Sequence, residues 1–290
     1  MALSDNTRGI LLMCGSMLGF TVNDGLMKSA TEHMPLFQAI FLRGVIATLG
    51  IILIARAQGV RQFVPQGRDR FWVAARTVGE IASTATFLIA LTQMPIANLS
   101  AIMQSLPLAV TLGAAVFLGE PIGWRRLTAI LVGFVGVLII VKPGADFDVW
   151  SVLGLASVAG VVLRDLATRK FSRAMPSTVG AVWAAVSVMV MGGLVTAWQG
   201  WTPLTLRPML EVAAAGAFII AGYVFAVRVM RVGDLAVVAP FRYTSLLWAI
   251  LIGWLVFGAL PDFWTWVGSG IVVASGVYVF IRERVRFAKA

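Results

Sequence analysis

The sequence predicts an all-α membrane protein of ten transmembrane helices, arranged as two inverted five-helix repeats with both termini cytoplasmic. Three observations predict this. Hydrophobic residues are 59% of the 290-residue chain and charged ones only 12%, against roughly 25% charged in an ordinary soluble domain. Apolar runs of about 20 residues, enough for a helix to cross roughly 30 Å of hydrocarbon while satisfying its own backbone, consume the whole length. The chain also repeats its own plan: Gly19, Asp24, Met34 and Pro35 recur as Gly160, Asp165, Met175 and Pro176 at one constant spacing. Gly119, Pro121, Trp124 and Gly136 likewise meet Gly258, Pro261, Trp264 and Gly276.

Reading the apolar runs against their Pro, Gly and charged interruptions gives the helices in order. The first, 9–29, stops before the loop holding His33 and Pro35; the second, 36–55, runs from there to Arg56. The third, 71–91, starts after Arg70 and ends ahead of Pro95, and the fourth, 96–118, ends in Leu118-Gly119-Glu120-Pro121. The fifth, 124–141, stops at Lys142, and the sixth, 151–170, carries the repeated Asp165 and ends before Pro176. Then come 177–198, 209–229, 235–257 and 263–281. Five helices per half is an odd number, so the second half enters the membrane from the opposite side, and the repeats, 1–145 and 146–290, are inverted. This arrangement suits carriers with a site near the midplane.

Ten crossings put both termini on one side. The loops and tails of that side hold sixteen of the 23 Lys and Arg; the other side holds only Lys28, Lys142 and Arg207, while Arg43, Arg76, Arg164 and Arg242 lie within helices. The positive-inside rule makes the richer side cytoplasmic. The net charge of +10 therefore reads as topology and not as a nucleic-acid surface. Trp72, Trp124, Trp150, Trp198, Trp201, Trp264 and Trp266 fall near helix ends, where an aromatic belt belongs.

Charges inside membrane helices are costly and usually face a cavity or a partner. Asp24 with Arg43 near the outer end, and Asp165 with Arg242 near the inner end, are candidate latches, one breaking as the other forms; static salt bridges or snorkelling account for them equally well. Glu80, the most central carboxylate, has Arg76 four residues earlier on the same face. It is a candidate to bind a substrate ammonium or carry a proton, or the two neutralise one another. Gln104 and Tyr243 occupy matching places in the fourth and ninth helices, and Asn98, Tyr223 and Trp248 are candidates to join them around a central cavity. Pro107 and Pro240 are expected to kink those helices.

Gly15 and Gly19 form a GxxxG pair, and Gly133, Gly136, Gly268, Gly270 and Gly276 read as helix-packing positions. The single cysteine, Cys14, excludes an internal disulfide. No phosphate-cradling glycine loop, metal-ligand cluster or hydrolytic constellation is present, so neither a cofactor, a metal nor enzyme activity is expected.

Pro95-Ile96-Ala97-Asn98-Leu99-Ser100-Ala101, Pro107, the Leu118–Pro121 helix end, and Gly133 and Gly136 ahead of Lys142 are the features by which the chain resembles the drug/metabolite transporter superfamily, EamA type. The second copy is more diverged: Ala259-Leu260-Pro261 follows Gly258 without a counterpart of Glu120, and Leu246 stands where the first half has Pro107. The resemblance implies a central cavity, alternating access and movement of small metabolites across the bacterial inner membrane. It points first to export of aromatic or neutral amino acids, as in YddG-like exporters, by a protein acting as a monomer in the lipid bilayer. The alternatives are a carrier of S-adenosylmethionine or nucleoside-like metabolites and, in another class, a non-transporting membrane sensor.

Overall fold

A computed structural model describes residues 4–142, 148–172, 174–229, 232 and 234–287, and the side chains of these apart from residues 177, 235, 236 and 283–287. The expected boundary between the repeats, at 145/146, lies outside the described residues. All regular structure among the described residues is helical: α1 (Asp5–Ala30), α2 (Leu36–Ala57), α3 (Asp69–Gln93), α4 (Ile96–Met103), α5 (Leu106–Leu118), α6 (Trp124–Val141), α7 (Val149–Arg169), α8 (Ser177–Gln199), α9 (Leu206–Val229), α10 (Leu235–Val238), a 3-10 turn (Ala239–Tyr243), α11 (Thr244–Phe257) and α12 (Phe263–Phe287). Among the described residues ten segments are long and apolar enough to cross a membrane, with α4–α5 forming the fourth and the 3-10 turn with α11 the ninth.

Local chemistry sets the helix ends. Ser4 starts α1 by accepting from the Thr7 amide at 3.2 Å, so the helix begins earlier than the apolar run, and Asp148 caps α7 through the Trp150 amide at 3.0 Å. Pro35, Pro95 and Pro176 each precede a helix, where a missing N–H costs nothing. Gly119 and Gly258, matched between the halves, end α5 and α11 with φ of 69° and 62°. A side chain there would clash with its own backbone.

Pro107 and Pro240 lie in the fourth and ninth spans, and each of these is divided into shorter helical pieces. Pro107 has no N–H to offer the Met103 carbonyl, and the chain turns at Gln104 and Ser105, where the Ser105 hydroxyl donates to the Ile102 carbonyl at 2.7 Å. Pro240 opens the 3-10 turn, and the Thr244 hydroxyl donates to the Phe241 carbonyl at 2.7 Å as α11 begins.

The most extensive packing is between α3 and α7, α1 and α9, α2 and α8, and α6 and α12. Small residues permit it. A Cβ on Gly79 would come within 2.7 Å of the Gly160 carbonyl oxygen and the Arg164 amide, and one on Gly136 within 2.8 Å of the Gly268 carbonyl oxygen. Gly19 meets Gly222 in the same way, and the Ser16 hydroxyl donates to the Gly222 carbonyl at 2.8 Å. Gly270 is a correction to the expected packing set, because nothing lies within 4 Å of the position its Cβ would take. Inside, Ile40, Leu91, Ile96, Leu99, Ile102, Leu108 and Ile130 are fully buried, while Leu53, Phe117 and Trp198 are exposed at 68%, 76% and 86%. That apolar exterior would be untenable in water and is what a lipid solvent requires.

Candidate functional site

The intramembrane charges form a series across α1, α2, α3, α7 and the 3-10 turn. On α1, Asp24 Oδ1 accepts from the side-chain Nδ2 of Asn23 at 2.9 Å, and Asn23 Oδ1 accepts from Arg43 of α2 at 3.3 Å. The expected Asp24–Arg43 partnership is thus bridged by Asn23. Arg43 is buried and within electrostatic reach of both Asp24 and Glu80. Glu80 on α3 pairs with Arg76 at 3.2 Å and stands 3.7 Å from Arg164 of α7, whose Nε donates to Asp165 at 2.9 Å. Asp165 therefore pairs with its chain neighbour, and Arg242 stays within electrostatic reach of it without a hydrogen bond or ion pair of its own among the described residues. The series holds three carboxylates and four guanidiniums, a local excess of one positive charge.

Its Asp165–Arg242 end lines a cavity of about 660 Å³ between α5, α6, α7, the 3-10 turn and α12. Pro107, Thr111, Thr168 and Phe280 share the wall, and Glu120 and Arg169, 2.9 Å apart and about half exposed, stand among its lining. These elements meet at the end of the bundle that carries most of the Lys and Arg. At the opposite end, contacts distant in sequence tie helices together. Gln38 bonds Thr202 through both its amide groups, Ser29 donates to Glu211 at 2.9 Å, and Lys28 donates to the Leu91 and Met94 carbonyls at 2.6 and 3.0 Å. Lys142 pairs with Asp262 at that same end.

Of the remaining candidates, Asn98, Gln104, Tyr243 and Trp248 lie on the two broken spans and Tyr223 on α9; neither they nor Glu80 are among the residues lining the cavity of about 660 Å³. Gln104 donates to the Ser245 hydroxyl at 2.8 Å across a separation of 141 residues, not to Tyr243, with which it was aligned. Gly19 and Gly160 share that separation, so the repeat register itself was the available signal for Ser245. Tyr243 is buried, packs edge-on to Phe280 at 6.5 Å, and occupies the space a Cβ on Gly276 would need. Tyr243 Oη, Asn98 Oδ1 and Trp248 Nε1 are buried and have no hydrogen-bond partner among the described residues. Tyr223 lies within electrostatic reach of Arg76. Asn23, Ser245 and the Glu120–Arg169 pair were missed, because each acts through a contact between segments that no local pattern announces.

Residues 7–142 match the model of the EamA-like transporter family. The pseudopaline exporter CntI of Pseudomonas aeruginosa is 30% identical over 92% of this chain and 94% of its own. The chain belongs to the EamA-like transporter family. Similar members include a riboflavin transporter of Vibrio cholerae, 27% identical over 94% of this chain and 92% of that one. An S-adenosylmethionine uptake transporter of Rickettsia prowazekii is 22% identical over 98% and 96%. A crystal structure with 21% sequence identity superposes with a TM-score of 0.64 over 96% of this chain and 99% of its own, which supports the fold alone.

The EamA resemblance read from the sequence therefore holds, and the protein is a multi-pass membrane transporter of this type. Its narrower placement beside YddG-like aromatic amino-acid exporters is not what these EamA relatives show, since they are named for pseudopaline, riboflavin and S-adenosylmethionine. The physical reason is that the motifs at Pro95–Ala101 and Leu118–Pro121 mark helix starts and ends, which the fold needs whatever the substrate.

Proposed function

We propose that this protein is a secondary transporter of the bacterial inner membrane that carries a small amphipathic metabolite with a carboxylate, aromatic and neutral amino acids foremost, by alternating access between inverted repeats 1–145 and 146–290. The observation that carries this reading is Arg242, a guanidinium with no carboxylate bonded to it among the described residues, on the wall of a cavity of about 660 Å³ that Phe280, Leu106 and Val110 also line. A fixed cation beside apolar surface complements a carboxylate attached to a hydrophobic side chain.

The packing pattern supports the inverted repeat. Exchanging each span with the one five later converts the α1–α9 contact into the α7–α3 contact and returns α2–α8 and α6–α12 to themselves. Gly19 against Gly222 and Gly160 against Gly79 are the corresponding crossings. On the positive-inside reading the cavity faces the cytoplasm and the tied end faces outward, so Asp165–Arg242 is the open latch and Asp24–Asn23–Arg43 belongs to the closed side. A carrier of this design runs in whichever direction its gradients set.

S-Adenosylmethionine is the second reading, favoured by the full-length similarity to a carrier of it. Its sulfonium would need a free buried acid, and Glu80 is already engaged by Arg76 and Arg164. Counterflow in vesicles containing only the purified protein tests the choice. Labelled phenylalanine or leucine should enter against unlabelled amino acid, and S-adenosylmethionine should not compete. Binding of amino acid without flux would establish a sensor instead, and flux of S-adenosylmethionine alone would establish the second reading.

A further inference from the structure

Where α6 and α12 cross, Gly136 and Gly268 bring the backbones together. Toward the basic end, small side chains at Ala129, Ala274 and Ser275 leave a groove of about 460 Å³ on the outer surface of the pair. Two cations line it from opposite helices. Arg125 lies over the Trp124 ring at 5.1 Å, and Arg282 lies over the Tyr278 ring at 5.7 Å with its Nε donating to the Tyr278 hydroxyl at 3.1 Å. No carboxylate among the described residues pairs with either. Above them Val132, Val135 and Leu138, each just over half exposed, continue along α6 as an apolar track.

We propose that this groove is a binding site for an anionic diacyl phospholipid, its phosphate held between Arg125 and Arg282 and an acyl chain lying along α6. Charge complementarity identifies the occupant. Two guanidiniums, each beside an aromatic ring near the basic end of its helix, line one groove, and the cytoplasmic leaflet carries the anionic headgroups. Positive-inside charge alone asks only for arginines near the helix ends; it does not ask for two of them on facing helices around one trench. The repeat-equivalent positions at the other end hold Trp264 and Thr265 for Trp124 and Arg125, and Leu138 and Lys142 for Tyr278 and Arg282, and that Lys142 is already paired with Asp262. The substrate cavity faces the interior of the bundle and plays no part in this site.

The test uses purified, delipidated full-length protein and counts retained lipid by native mass spectrometry after mixing with dioleoyl phosphatidylglycerol, dioleoyl phosphatidylcholine or inorganic phosphate. Wild type should retain phosphatidylglycerol over the other two, and the Arg125→Gln/Arg282→Gln double variant should lose roughly tenfold or more of that affinity. Ala129→Trp, which fills the trench and keeps both cations, should lose it as well. A control pair from the same membrane face, Arg56→Gln/Arg61→Gln, should retain it. Equal binding of both lipids, unchanged retention in the groove variants, or equal loss in the control overturns the proposal.

Discussion

The guanidinium of Arg164 on α7 stands 3.7 Å from the Glu80 carboxylate on α3, at the crossing where Gly79 and Gly160 bring the two backbones into contact. The glycines decide that the helices can touch, and the charges decide that the touching faces are not bare hydrocarbon. The two groups are 28% and 21% exposed at the side chain. Glu80→Gln would leave Arg76 and Arg164 without their shared counter-ion and should destabilise the protein by roughly 1–3 kcal/mol, less than a fully buried pair because the site is partly open. Glu120→Gln, at the half-exposed pair with Arg169, should change stability by less than about 1 kcal/mol. Thermal unfolding in one detergent compares them, and equal shifts would show that the interior pair is no better shielded than the exposed one.

Gly79→Ala should be poorly tolerated. The new methyl would meet the Gly160 carbonyl and the Arg164 amide at 2.7 Å, and both are backbone atoms that cannot rotate away. Overpacking of this kind costs about 1–3 kcal/mol. Gly270→Ala meets nothing within 4 Å and should be neutral or slightly stabilising, by up to about 1 kcal/mol of helix propensity. If melting temperatures of the two variants fell together, close packing would not be the reason.

The Gln104–Ser245 hydrogen bond ties the two broken spans together at 2.8 Å. A double-mutant cycle with Gln104→Leu and Ser245→Ala should return a coupling of about 0.5–1.5 kcal/mol. Additive losses would mean the two breaks are positioned independently.

Arg242→Gln should raise the KM for a carboxylate-bearing substrate roughly tenfold or more, as expected when one partner of a charge-assisted contact is removed. Arg242→Lys should keep part of the affinity, because the charge survives while the planar fork does not. Counterflow rates across substrate concentrations separate the outcomes. An unchanged KM in Arg242→Gln removes Arg242 from the substrate site.

Much of this was legible in one dimension. Hydrocarbon thickness sets a length scale that a sequence must display openly, so the apolar runs could be counted. Pro107 and Pro240 marked breaks because a missing amide is a local fact. Asn23 between Asp24 and Arg43 was not legible, nor was the engagement of Glu80 by Arg164 in addition to Arg76, because these depend on which faces of separate helices meet.

By itself the sequence determined the solvent, the ten apolar spans, the glycines that end α5 and α11, and the residues able to carry charge into the membrane, since each follows from composition or backbone chemistry within a few residues. Only the tertiary structure decided that Arg164 bridges α3 and α7 and that Arg242 faces a cavity without an ion pair among the described residues. It also decided that Tyr243 fills the space left by Gly276. Such relations are fixed by helix rotation and crossing depth, which side-chain packing over the whole bundle sets and which no single segment encodes.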